Sequence, residues 1–151
     1  MAVLPPSATT ALLWDLDNVY VPLTDLASLA QALSGLVEPG APRVASAHYR
    51  VFRLAGDTLR AHDIRVLCGT RDPAGADGIL LRQARRLRKR GIERFLVASN
   101  DHAFARIATS AEVHVVTLTG DLVSRRLRAV ARSITVLTRD GEGWRPEDRS
   151  T

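Results

Sequence analysis

Three short stretches hold most of the residues able to do chemistry. LLWDLDNV, residues 12–19, drives an apolar run into Asp15, Asp17 and Asn18. GADG, residues 75–78, sets Asp77 at the start of a helical pattern. ASND, residues 98–101, ends a second apolar run in Ser99, Asn100 and Asp101. Three carboxylates crowded together repel one another and do not all ionise freely. A hard divalent cation relieves that conflict, and Mg²⁺ or Mn²⁺ takes oxygen ligands while keeping waters for a phosphate-bearing substrate. Asp15, Asp77 and Asp101 are therefore the candidate metal ligands, with Asp17 and Asp121 as candidate outer acids. Asn18 can supply a neutral oxygen or hold a phosphate. Bound in this way, the ion polarises a phosphodiester and activates water. Each residue taken singly also has a structural use. Asp77, Ser99, Asp101 and Asp121 suit helix N-caps, and Asp17 and Asn18 suit a turn.

The elements that carry these residues decide whether they meet. Strand-like runs are expected at Ala11–Asp15, Arg43–Phe52, Ile64–Leu67, Arg94–Ala98, Val113–Leu118 and Ile134–Leu137. Helical patterns fall at Asp25–Val37, Leu54–His62, Asp77–Arg90, His102–Ser110 and Leu122–Arg132. Such alternation predicts an α/β fold of three layers, a mostly parallel sheet between helices. Runs such as RFLVA and VHVVTL fit strands buried on both faces. In open parallel sheets, ligands collect outside the carboxyl ends of the strands. Asp15 and Ser99–Asp101 follow strands, and Asp77 opens a helix that starts where a strand ends. All three clusters are expected at one edge. Residues 1–10 and 138–151 read as tails, the second flexible, leaving 11–137 as one domain.

Composition narrows the partners. The chain has 151 residues, a formal charge of +5 and a sequence pI near 10.6, which favours a polyanion such as nucleic acid. Lys89 is the only lysine; the rest of the positive charge is arginine, whose fixed fork suits phosphate. Arg82–Arg90 is a dense basic helix growing from the Asp77 segment. It reads as a phosphate track or as a solvated face. One cysteine, Cys68, excludes an internal disulfide and fits a reducing cytoplasm. No secretory leader is read at the N-terminus, and no apolar run reaches the roughly 20 residues that span a bilayer. The four histidines have no metal-binding spacing, and His102 reads as an exposed residue at a helix start.

Taken in order, WDLDNV, AGADGILL and ASNDHAF resemble the NYN domain family, small PIN-like proteins with a Rossmann-type fold and many stand-alone bacterial members. Asp15 and Asn18 match its first-strand Asp and the Asn three positions on. Asp77 matches its helix-opening Asp. Ser99, Asp101 and Phe104 match its Ser-Gly-Asp-x-Asp-Phe element, where Asn100 replaces Gly and Ala103 replaces the second Asp. The resemblance covers about residues 11–137. It implies metal-dependent ribonuclease chemistry with Asp15, Asp77 and Asp101 as catalytic ligands of Mg²⁺ or Mn²⁺. Asn18, Ser99 and Asn100 would then bind the scissile phosphate, and Arg82, Arg85 and Arg86 the flanking ones. RNA is the implied partner, no membrane is expected, and a homo-oligomer is allowed. Ala103 leaves open whether one ion or two are held and whether the site is active.

Two other readings compete. Asp15-Leu-Asp17-Asn-Val19 also fits a haloacid-dehalogenase-type phosphatase, with Asp15 as nucleophile and Asp17 as general acid. That chemistry wants a lysine after the Ser99 motif, and none follows residue 89. The third reading is a non-catalytic nucleic-acid-binding regulatory module of the same fold.

Overall fold

The computed structural model describes residues 9–69 and 75–149. Seven strands form one sheet: β1 (Thr10–Asp15), β2 (Arg43–Ala47), β3 (Arg65–Cys68), β4 (Arg94–Ala98), β5 (Glu112–Leu118), β6 (Ser133–Asp140) and β7 (Gly143–Arg149). Their order is β3-β2-β1-β4-β5-β6-β7, parallel from β3 to β6, with β7 antiparallel at the edge. The connections are α1 (Leu23–Ser34), α2 (Tyr49–Arg60), α3 (Gly75–Lys89), a 3-10 helix (His102–Thr109) and α4 (Arg125–Val130). The expected three-layer α/β arrangement is therefore present. No helix among the described residues is long and apolar enough to cross a membrane.

Strand periodicity divides the core in two. Leu12 and Trp14 face α1 and α2, packing with Leu26, Leu29, Leu33 and Leu59. Ala11 and Leu13 face the other way, onto Leu80, Ala84 and Leu87 of α3 and Phe104 of the 3-10 helix. Side chains alternate at a period of two along a strand. By that parity Asp15 follows Leu13 toward α3, and Ser99 follows Phe95 and Val97 the same way.

The boundaries expected from the sequence shift in several places. The run expected as a strand at Arg43–Phe52 breaks after Ala47, and α2 begins at Tyr49. Asp17 explains the break: its Oδ2 accepts the His48 N–H at 2.8 Å, satisfying a backbone donor beside the first turn of α2. Residues 102–109 wind as a 3-10 helix, and α4 starts at Arg125, capped by Ser124, whose Oγ accepts from Leu127 N–H.

The largest correction concerns the expected flexible tail. Residues 138–149 extend β6 and turn back as β7, pairing Asp140 with Gly143. Gly141 takes φ +60°, as a two-residue hairpin turn with glycine leading requires. The exposed edge strand GWRPEDR buries little, so it lacks the apolar alternation that announces a strand. Trp144 instead fastens the hairpin to α1, donating from Nε1 to Ser28 Oγ at 3.1 Å. Arg139 stacks on Trp144 at 5.1 Å and pairs with Asp25 at 3.1 Å. Of the expected N-terminal tail, residues 1–8 lie outside the described residues, and Thr10 already opens β1.

Candidate metal centre

Parity sends Asp15 toward α3, and two further devices bring α3 to Asp15. Ser46, next to last in β2 and in register with Asp15, is fully buried and donates from Oγ to the Ala76 carbonyl at 2.8 Å. Gly69, just past β3, lies so close to the start of α3 that a Cβ there would meet Ala76 N at 2.7 Å. Only glycine permits that approach. Asp77 is thereby held over the end of β1. It occupies the first turn of α3 as the third residue, so it is not the helix cap.

The third acid arrives on the loop after β4. Ser99 Oγ is the hinge of the arrangement: it donates to Asp15 Oδ2 at 3.0 Å and accepts the Asp101 N–H at 3.1 Å. Asp101 in turn caps the 3-10 helix, its Oδ1 accepting from Ala103 N–H at 2.9 Å. Capping and clustering are thus one role in this residue. One ligand atom each from Asp15, Asp77 and Asp101 lies within 4.8 Å of the other two. Opposite oxygens on a Mg²⁺ with bonds of ~2.1 Å stand about 4.2 Å apart. The three acids are thus close enough together to hold a metal ion.

The acids are in electrostatic conflict. Burial, then the charge of Asp77, pushes the Asp15 carboxyl up to about 8, against the pull of the Ser99 hydroxyl. Burial, then hydrogen bonding and charge from Asp101, pushes Asp77 up to about 6. The bond between Asp15 and Asp77 raises the first and lowers the second, so the more buried Asp15 is the more strongly raised of the pair. Asp17 adds a smaller repulsion to both. A cation bound among the acids would remove both the repulsion and the uncompensated burial.

The remaining expected residues divide sharply. Ser99 is fully buried with its hydroxyl committed, so it orients the acids and does not present itself to a substrate phosphate. Asn18 Oδ1 accepts the Asn100 N–H at 2.7 Å, tying the β1 loop to the β4 loop. Asn100 is a bracket as well: Thr117 donates to its side-chain carbonyl, and its backbone carbonyl accepts from Ser124 N–H at 2.9 Å. Asp17 is an outer acid by its field, but one oxygen is engaged by α2. Asp121 is exposed in the turn after β5, outside the cluster, and Ser124 caps the helix that follows in its stead. Arg82 and Arg85 line a groove that opens at Asp77. Arg86 lies on the outer shelf of α3 instead. His102 is exposed, with Nδ1 3.3 Å from Asp101 Oδ1.

Ser46, Thr117 and the groove arginines of later segments do not stand out in the sequence. Ser46 and Thr117 do carry a signal, since each is a hydroxyl at or near the carboxyl end of a buried strand. A register between strands is needed to read it.

No protein-family profile and no curated protein matches the chain. Among solved structures the chain is similar to a protein of unknown function, VPA0982 from Vibrio parahaemolyticus. The two are 17% identical with a TM-score of 0.63, over 95% of this chain and 100% of that one. At that identity the likeness concerns the fold.

Proposed function

We propose that the protein is a divalent-metal-dependent nuclease of the NYN type, hydrolysing phosphodiester bonds in RNA. The observation that carries this reading is the meeting of Asp15, Asp77 and Asp101, from three distant segments, in one cluster whose charges oppose each other. Asp77 also stands at the end of an arginine-lined groove, the complement a polyanion needs.

In this mechanism Asp15, Asp77 and Asp101 would hold Mg²⁺ or Mn²⁺. When bound, the ion supplies Lewis-acid polarisation of the phosphodiester and activation of water. Asp15 would serve as a ligand in its ionised form. Ser99 keeps Asp15 and Asp101 aimed at a common point, which is positioning fixed before substrate arrives. Ala103 stands at the mouth of the groove, where a fourth carboxylate would be expected from the family pattern, so the reading takes one ion. The phosphatase reading lacks the cation it needs after the Ser99 motif, since no lysine follows residue 89.

The test is cleavage of labelled single-stranded and structured RNA with Mg²⁺, Mn²⁺ or EDTA, by the parent and by Asp15→Asn. Cleavage by the parent with metal alone, lost in the variant, is expected. Equal cleavage by both would overturn the assignment. Binding without cleavage under every metal condition would hand the fold to a regulatory module, and turnover of para-nitrophenyl phosphate through a phosphoaspartate would hand it to the phosphatase.

A further inference from the structure

The groove that opens at Asp77 continues well beyond the acid cluster. Its volume is about 990 Å³, and α3, the 3-10 helix and α4 form its walls. Arg82, Arg85 and Arg88 line it from α3, Arg106 from the 3-10 helix and Arg126 from α4. Asp77 is the lone acid among the described lining residues, and it sits at one end. Helical spacing produces this order. Residues 77, 81, 85 and 88 follow at i, i+4, i+8 and i+11, on one face of α3 beside its core face. From Asp77 to Arg88 the helix rises roughly 16 Å. Arg85, Arg88, Arg106 and Arg126 make no salt bridge with any described acid.

Two further properties narrow the occupant. The floor is apolar, with Leu81, Ala84 and Ile107; no Phe, Tyr or Trp is among the described lining residues, and His102 supplies the one imidazole. A row of large rings on which successive bases could stack is therefore missing there, and recognition falls chiefly to the backbone. Spread along that helix rise, the volume gives a width on the order of 10 Å. That is less than the ~12 Å of a duplex's major groove alone, so a duplex cannot sink into it.

We infer that this groove is the track for one single strand of nucleic acid, whose phosphates the arginines of three separate elements hold as the strand leaves the acid cluster. The inference rests on the nuclease reading and names its substrate form: single-stranded, sequence-tolerant, with backbone extending to one side of the cut. Arginine forks grip phosphate in pairs of hydrogen bonds, and a chain of phosphates matches a line of such forks. Arg106 and Arg126 are the informative members, since they come from outside the basic helix.

The test measures binding and cleavage separately. Fluorescence anisotropy in EDTA follows a labelled 12-nucleotide oligouridylate, and the same strand paired to its complement, over a salt series. The proteins are the parent, Arg106→Glu/Arg126→Glu, and a control pair on β7, Arg145→Glu/Arg149→Glu. The groove pair is expected to weaken single-strand binding at least about 10-fold. It should also flatten the log–log salt slope by about 1.4, at ~0.7 for each phosphate that is no longer neutralised. The β7 pair should bind within about twofold of the parent, and the duplex more weakly than the single strand. Should the charge reversals unfold the protein, Arg106→Gln/Arg126→Gln with a matched melting curve keeps the comparison. Equal binding by groove pair and parent overturns the inference, as does tighter capture of the duplex or of polyglutamate. The two proposals fail separately. Metal-dependent cleavage with an unchanged KM in the groove pair removes the track and leaves the nuclease. Groove-dependent binding without cleavage under any metal removes the nuclease and leaves a single-strand binding groove.

Discussion

The two ends of the sheet handle charge in opposite ways. At the amino end of β5, Glu112 receives Arg132 at 2.8 Å and Arg94 at 2.9 Å, with His114 at 3.6 Å. Arg132, then His114, holds the Glu112 carboxyl below its ordinary value. At the carboxyl end of β1 and β4, three acids face one another, and two of them are pushed up. Charges at the first end satisfy each other, and nothing further is required of them. Charges at the second are stable only with a proton shared or a cation supplied. Proteins rarely bury acids against each other without a use. The comparison thus separates a self-compensated ion-pair network from a cluster of uncompensated acids that could hold a metal ion, on the same sheet and by the same criterion.

The most damaging change to this contrast is Asp15→Asn. Residues that merely orient metal ligands typically cost 10–100-fold when lost, so removing a ligand should cost more than about 100-fold in metal-dependent cleavage. Ser99→Ala ranks next. It frees Asp15 and Asp101 from their common hydroxyl, and a loss of about 10–100-fold in Mn²⁺ affinity or cleavage is expected, measured by titration calorimetry and rate. Unchanged metal affinity in Ser99→Ala would mean that the hydroxyl only fills space.

Much of the site was legible because strand ends and helix starts have fixed places in a parallel sheet. ALLWD and FLVASND each carry an apolar run into oxygen, which sets Asp15 and Asp101 at one edge. Parity did the remainder for Asp15, since counting by twos from Leu13 already selects a face. Other features were hidden for physical reasons. VASAHYRVF has continuous strand character, and the distant Asp17 carboxylate that accepts the His48 N–H at the helix start cannot be read from that stretch. GWRPEDR reads as tail because an edge strand needs no buried face. Arg106 and Arg126 look like any surface arginine until the 3-10 helix and α4 pack beside α3. Arg86 belongs to the basic run in sequence, but the helical period turns it outward.

A weaker but diagnostic effect lies in the pH dependence of the metal-free protein. Asp15 and Asp77 both have folded values, about 8 and about 6, above the unfolded 3.8. The folded state therefore keeps protons that the unfolded chain has released, and these two groups make stability fall as pH rises. Their contribution is fullest below the unfolded value and is lost on passing through about 6 and then about 8. In EDTA the melting temperature should drop between about pH 5 and about pH 8, and Asp15→Asn should flatten the drop. Mn²⁺ should raise it most at the alkaline end, where Asp15 yields its proton readily. A parent profile no steeper than that of Asp15→Asn would remove the electrostatic conflict from the account.

The smallest effect is expected at the opposite end, where its size and its sign both carry information. Glu112 has a lowered value, so its stabilising contribution is present above the unfolded 4.5 and disappears as pH falls through the folded value. Exposed ion pairs contribute little in water, and two arginines sharing one carboxylate do not change that order. Glu112→Gln should therefore lower the melting temperature slightly at neutral pH, with the gap to the parent closing under acid conditions. Its pH trend is opposite to that of the acid cluster, because one carboxylate is favoured in its charged form and the others are not. Mn²⁺ should stabilise Glu112→Gln as much as the parent, and cleavage should be unchanged. A variant that lost either response would couple the two ends of the sheet, and the line between compensated and uncompensated charge would no longer divide structure from function in this fold.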